Sequence, residues 1–235
     1  MIVLMYAAVA VIGYLLGAIP FGVLISKKIA KTDVREVGSG KTGMTNVLRA
    51  AGKKAAAISL VLDVAKGALA VVIAGFIFYH KTQPEPSAFT WIGNAKALAA
   101  LSAIAGHSWS VFLKFKGGRG VATFMGGLAA MYWPAALLGG ILIFTIGLRT
   151  KYMSLGSIIG AISAFIMLMS LNVLEVTFFW YKQYPPFEYV VFAMIGALFV
   201  YFMHRDNILR LYNGTERQIG QKHKTQTSPS TNDPK

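Results

Sequence analysis

Between Lys114 and Gly120 the chain places three cations and three glycines in seven residues, Lys114-Phe115-Lys116-Gly117-Gly118-Arg119-Gly120. Glycines let the backbone aim its N–H groups at one point, and the cations give that point a positive field. Such a turn suits an anion. Strongly apolar runs flank it, so the anion would be held at a membrane surface.

Two further clusters carry the same chemistry. In Val37-Gly38-Ser39-Gly40-Lys41-Thr42-Gly43-Met44-Thr45-Asn46-Val47-Leu48-Arg49, the run Gly40-Lys41-Thr42 invites a nucleotide P-loop. The spacing refuses it, because the glycine required five residues earlier is Arg35. A glycine loop leading into a helix remains, with Ser39, Thr45, Asn46 and Arg49 as donors, and a helix N-terminus favours phosphate without any P-loop. Thr45 or Asn46 serves equally well as a plain N-cap. The third cluster runs from His204 to Glu216; in a helix, His204, Asn207 and Arg210 share a face. Asp206 is spaced to pair with Arg210. Lys151-Tyr152-Met153-Ser154-Leu155-Gly156-Ser157 adds Ser154 and Ser157, although serines near helix ends are commonly caps.

The elements that position these clusters are membrane spans. Of 235 residues, 55% are hydrophobic with glycine uncounted, and mean hydropathy is +0.57, well above a soluble domain. The expected fold is all-α: a polytopic protein with spans near 3–25, 55–79, 96–111, 154–173 and 187–203. Two short helices around Trp133-Pro134 bring the crossings to seven. Residues 80–94 read as a polar loop, residues 1–219 as one membrane domain, and 220–235 as a disordered cytoplasmic tail rich in Thr, Ser, Pro and Lys. The first span has no basic leader, so a cleaved signal peptide is not expected. Cysteine is absent, which removes disulfides, thiolate metal sites and a cysteine nucleophile.

Net charge is +14, yet its distribution argues against nucleic acid. Residues 26–54, Lys114 to Arg119, Arg149 with Lys151, and the segment after His204 hold 19 of the 23 basic residues. With seven crossings all four segments share one side, cytoplasmic by the positive-inside rule, with the N-terminus outside and the C-terminus inside. Topology and anionic lipid account for Lys27, Lys28, Lys53 and Lys54. They account less well for Arg49 and Arg119, which sit among glycines and hydroxyl residues.

Taken in order, the motifs resemble one family. They are Gly38-Ser39-Gly40 with Thr45-Asn46-Val47-Leu48-Arg49; Leu62-Asp63 with Lys66-Gly67; and Gly106-His107 with Phe115 to Thr123. Lys151-Tyr152 with Ser154-Leu155 and Ser157-Ile158, then His204-Arg205 with Asn207-Ile208 and Arg210-Leu211, complete the set. The chain up to about Ile219 is similar to the membrane-integral acyl-phosphate:glycerol-3-phosphate acyltransferases of bacterial phospholipid synthesis. It departs from their usual pattern at Lys41, Thr42 and Met44, at Ser110 where proline is usual, and at Arg119 where lysine is common.

The resemblance implies an enzyme of the bacterial cell membrane that faces its substrates from the cytoplasm. It would pass a fatty acyl group from acyl phosphate to the 1-hydroxyl of glycerol 3-phosphate, without a covalent acyl-enzyme. Ser39, Arg49, Arg119, His204 and Asn207 are the implied catalytic set. Gly38, Gly40, Thr45, Asn46, Lys116, Gly117, Gly118, Gly120, Ser154, Ser157 and Arg210 would bind or shape the phosphate pocket. His204 is expected to donate to phosphate, since a cation-rich site lowers imidazole basicity, with a general base as the alternative; His107 is expected to be a structural hydrogen-bonder. The acyl-CoA pattern His-x4-Asp is absent: Phe112, Leu209 and Glu85 stand at its last position after His107, His204 and His80. No cofactor, metal or nucleotide is expected. The implied partners are the two substrates and the lipid bilayer, with a soluble acyl-phosphate-forming enzyme left open. The alternative is a membrane transporter for an organic phosphate anion, which should place ionisable groups near mid-membrane; Asp63 and Lys66 are a mild case.

Overall fold

The computed structural model describes residues 1–79, 86–177 and 183–219, and among them the regular structure is entirely helical. The expected tail, 220–235, lies outside the described residues, as do residues 80–85 of the expected polar loop. Eight α-helices follow in order: α1 Ile2–Ala18, α2 Phe21–Ala30, α3 Met44–Tyr79, α4 Pro86–Ser108, α5 Val121–Thr150, α6 Met153–Val173, α7 Phe187–Met203 and α8 Arg205–Tyr212. Four stretches are long and apolar enough to cross a membrane, the first being α1 with α2; a fifth is added if α7 and α8, bent by 57°, count as one.

The breaks have local causes. The expected first span is interrupted at Ile19-Pro20, where Ile19 is held at φ −58° and ψ 118°. A residue before proline is pushed out of the helical region, and Pro20 has no N–H to continue the ladder. Helix α3 starts earlier than the expected span at 55, because Gly52 (φ 79°, ψ −178°) joins a short N-terminal piece to the long one. Similarly, α4 begins at Pro86 and absorbs much of the expected loop.

Helix α5 is folded back on itself. Tyr132 leaves the helix at φ −151° and ψ 86°, immediately before Trp133-Pro134. A Cβ on Gly139 would stand 3.1 Å from Cε of Met125. In a straight helix those positions lie about 21 Å apart along the axis. Pro134 sits in the first turn of the returning arm, where its missing N–H costs nothing.

Small residues let the helices touch. Side chains at Gly13 and Gly17 of α1 would overlap the carbonyls of Ala99 and Ala103 on α4. Without water to drive apolar association inside lipid, such close backbone packing is what holds helices together. The core between α4, α5, α6 and α7 is filled by Phe124, Leu128, Tyr132, Leu168 and Phe192, all under 2% exposed. At mid-bundle, Lys66 Nζ lies 2.8 Å from Asp63 Oδ1 and donates to the Ile19 carbonyl at 3.0 Å, tying α3 to the α1–α2 break. His107 Nδ1 is 3.5 Å from the same carboxylate oxygen. The two ionisable residues of this span therefore pair within the bundle.

Candidate active site

Four helix N-termini meet at one cavity of about 270 Å³. Its wall includes Met44 and Thr45 at the start of α3, Val121 and Ala122 at the start of α5, and Met153 and Ser154 at the start of α6. His204 and Asn207 represent the start of α8. Among the described residues, no side chain caps α5, α6 or α8. Each such end carries roughly half a positive charge with first-turn N–H groups available to a ligand. Arg49, Arg119, Lys41 and Arg217 line the cavity, with Arg119 in electrostatic reach of Arg49 and Lys41, and Arg49 in reach of Arg217. Leu60, Val64, Met125, Ile143 and Phe144 line it elsewhere and make it apolar.

Arg119 is the central cation. Its Nε is buried without a hydrogen-bond partner among the described residues. Burial pushes its guanidinium down to about 10, with Arg210 and Arg49 adding to the effect against Glu216 and Asp206; it is charged at neutral pH. Burial, then the charge of Arg119, likewise lowers Lys41. His204 is pushed down to about 4 by burial and by Arg119, against the Val200 carbonyl and Glu216, and is neutral at pH 7. Its Nδ1 lies 2.7 Å from the Val200 carbonyl, which accepts the hydrogen bond donated by that nitrogen. Nε2 is then an acceptor. This differs from the expected phosphate donor and suits a substrate hydroxyl instead.

The Lys114–Gly120 turn works differently from expectation. Lys114 and Phe115 adopt left-handed conformations (φ 52° and 60°), and Gly120 (φ 79°) admits the chain into α5. The N–H groups of Gly117 and Gly118 are already bonded to the carbonyls of Ser108 and His107, both at 3.0 Å. A side chain on either glycine would collide with the end of α4. These two residues seat the turn and leave no N–H for an anion. Lys116 is exposed and outside the cavity wall, because the reversal at Lys114-Phe115 turns it to the surface. Ser110 donates to the Ala18 carbonyl at 2.6 Å, a bond proline could not make.

In the first loop, Asn46 faces the cavity but its amide is engaged. Nδ2 donates to the carbonyls of Val34, Val37 and Lys41 at 2.7, 2.8 and 2.9 Å, and Oδ1 accepts from the Ser39 N–H at 3.2 Å. Asn46 braces the loop that presents Ser39. Neither it nor Thr45 is an N-cap, since α3 begins at Met44. Gly38 and Gly40 (φ 60° and 69°) shape the loop from outside the cavity wall.

Known proteins can now be set beside this geometry. Residues 7–214 match the family model for glycerol-3-phosphate acyltransferase. The chain belongs to the glycerol-3-phosphate acyltransferase family. It is 46% identical over 215 residues to glycerol-3-phosphate acyltransferase 3 of Dehalococcoides mccartyi, covering 91% of this chain and 95% of that one. It is 40% identical to a glycerol-3-phosphate acyltransferase of Trichormus variabilis, covering 95% and 96%. The fold resembles the crystal structure of PlsY (YgiH), an integral membrane glycerol 3-phosphate acyltransferase, in its glycerol 3-phosphate form. The TM-score is 0.76 at 33% identity, with 92% of this chain and 96% of that one covered. The lysophosphatidic acid form of PlsY matches with a TM-score of 0.74 at 32% identity, covering 91% and 94%. With its long apolar helices, this family member is a multi-pass bacterial membrane protein.

Of the residues singled out from the sequence, Ser39, Thr45, Asn46, Arg49, Arg119, Gly120, Ser154, Ser157, His204 and Asn207 gather at one cavity. Arg210 stands off it and binds Glu216 Oε2 at 2.9 Å through Nε, while Asp206 lies 3.8 Å from Arg205 rather than pairing with Arg210. Glu216 was not among them. Its Oε1 accepts from Ser154 Oγ (2.9 Å) and Asn207 Nδ2 (2.6 Å), so it lashes the segment after α8 across α6 and α8. The signal was one of the chain's nine carboxylates, set in a basic stretch that also holds Asp206. Ser157 Oγ donates to the Met153 carbonyl at 2.8 Å, inside its own helix. Arg217, Lys41 and Asp63 also reach the wall.

Proposed function

We propose that the chain transfers a fatty acyl group from acyl phosphate to the 1-hydroxyl of sn-glycerol 3-phosphate, releasing lysophosphatidic acid and phosphate. The observation that carries this reading is the convergence of four helix N-termini and the unpartnered Arg119 Nε on a cavity with an apolar side. Two phosphates need the first feature and an acyl tail needs the second. Family membership supports the same reaction.

The acceptor hydroxyl oxygen attacks the acyl carbonyl carbon, the bond from that carbon to the phosphate oxygen breaks, and the hydroxyl proton leaves on the phosphate. The donor is already activated, so no protein nucleophile is needed. Arg119 and the N-termini of α3 and α5 neutralise the departing phosphate and the developing oxyanion, and this charge stabilisation lowers the barrier most in such a site. Arg49 and Ser39 hold the acceptor phosphate, and neutral His204 accepts the hydrogen bond of the attacking hydroxyl through Nε2. Ser154 and Asn207, braced by Glu216, keep the starts of α6 and α8 in register.

Seven crossings, an outer N-terminus and a cytoplasmic active site belong to the same proposal. Their support is the collection of basic segments around this one cavity. That basic face is also where a soluble acyl-phosphate-forming partner would dock.

Purified protein with palmitoyl phosphate and glycerol 3-phosphate tests the reading. Phosphate and lysophosphatidic acid should appear in equal amounts, vanish in Arg49→Ala, and fail to form from palmitoyl-CoA. No product from folded protein, with uptake of glycerol 3-phosphate into proteoliposomes, would instead support a carrier.

A further inference from the structure

Inside a helix, glycine costs about 1 kcal/mol relative to alanine. It is therefore usually there for close packing or a left-handed backbone. Most described glycines have such a reason: Gly126 meets the Val64 carbonyl, Gly160 meets that of Gly139, and five others have φ between 60° and 79°. Among the described glycines, only Gly43 and Gly140 combine an ordinary φ with nothing within 4 Å of where a Cβ would stand. Gly43 directly precedes α3, where the chain enters the helix. Gly140 sits inside the returning arm of α5, where neither packing nor backbone calls for it.

Gly140 does line the active-site cavity, on the side formed by Leu60 and Val64 of α3 and by Ile143 and Phe144 of α5. Phe144 is 38% exposed on the bundle surface, so this side of the cavity borders the membrane. With nothing within 4 Å of where a Cβ would stand, the backbone at Gly140 leaves free space at this point of the cavity wall. We infer that Gly140 is the acyl-chain portal, and that the side-chain volume at this position decides which acyl phosphates are accepted. A long, straight chain lies over the glycine, whereas a short one ends before reaching it. The inference rests on the acyl-phosphate reading given above.

Gly140→Ala and Gly140→Leu, each assayed with butanoyl, decanoyl and hexadecanoyl phosphate, test it. Both substitutions favour the helix, and nothing stands within 4 Å of the Cβ they add. Gly140→Leu should lower kcat/KM for hexadecanoyl phosphate at least tenfold and that for butanoyl phosphate less than twofold. Alanine should fall between wild type and leucine, and the KM for glycerol 3-phosphate should not move. An equal loss at every chain length, or no loss at any, would overturn the portal. A wild-type protein inactive with all three donors overturns the proposed reaction itself, so the unsubstituted chain separates the two failures.

Discussion

Replacing Arg119 by lysine keeps a cation at the centre of the site but should bring the enzyme's alkaline limit down well below that of the wild type. The environment pushes the guanidinium from 12.5 down to about 10, chiefly through burial. A lysine ammonium starts from about 10.4. The same burial and neighbours would bring it to about 8. The charged form is the active one, so the Arg119→Lys enzyme works below that value and loses activity as pH rises through it. The wild type keeps its charge to about 10. Below pH 7 the variant should retain activity within about tenfold, the worth of one charge-assisted hydrogen bond of about 1.5 kcal/mol. By about pH 9 only one site in ten is charged, and a further tenfold loss follows. The profile of kcat/KM reports the free enzyme and is read from phosphate release at low substrate, corrected for spontaneous hydrolysis. Arg119→Met should lose about 10²–10³-fold at every pH. A lysine profile parallel to wild type up to about pH 9.5 would refute the argument, because the cation's burial would then have no bearing on the reaction.

The remaining expectations are sharper in contrast than alone. Lys116→Ala should leave kcat/KM within twofold, since the side chain is exposed and off the cavity wall; Gly118→Ala, which drives a methyl into the His107 ring, should abolish activity in the same assay. Asp63→Asn strands the buried Lys66 ammonium and should cost about 3–5 kcal/mol of stability. Asp63→Asn with Lys66→Met should recover most of that loss, read as thermal midpoints in one detergent. Glu216→Gln should lower the midpoint by an amount equivalent to about 1.5–3 kcal/mol, as Arg210 loses its carboxylate; an unchanged midpoint would mean that the charge of Glu216 on Arg210 is not needed.

Much of the fold is legible because apolar length is a direct physical requirement of a bilayer. The expected span at 154–173 meets α6 at Met153–Val173, and Trp133-Pro134 marks the reversal in α5 to within two residues. Pro20 carried the same kind of signal, but the hydrophobicity on both sides of it hides the break between α1 and α2. Site residues are legible as types and not as partners. Gly117 and Gly118 have the composition of an anion cradle, yet their N–H groups belong to α4. Asn46 has the donors of a ligand-binding residue, and three loop carbonyls hold them. Which polar atoms remain for a substrate depends on contacts between distant segments, and no local pattern records those. Glu216 is the same lesson reversed: nothing beside it in sequence announces that Ser154, 62 residues away, needs its oxygen.

The folded-back α5 bears on orientation more than on the number of crossings. Its first residue, Val121, and Met153, three residues past its last, both line the cavity, so it returns to the side it entered from. If both arms count as crossings, the expected seven result; if the hairpin turns back within the bilayer, two fewer do. Either way the parity is unchanged. The four basic segments share a side under both countings, so the positive-inside argument needs only the even contribution of α5. The two cases differ at the turn. The chain has no native cysteine, so a single cysteine at Trp133, which is 38% exposed at the turn, can be probed with a membrane-impermeant thiol reagent added from outside. Labelling would mean that the hairpin reaches the outer surface. Protection, with a cysteine at Met1 labelled as control, would mean that it turns within the membrane.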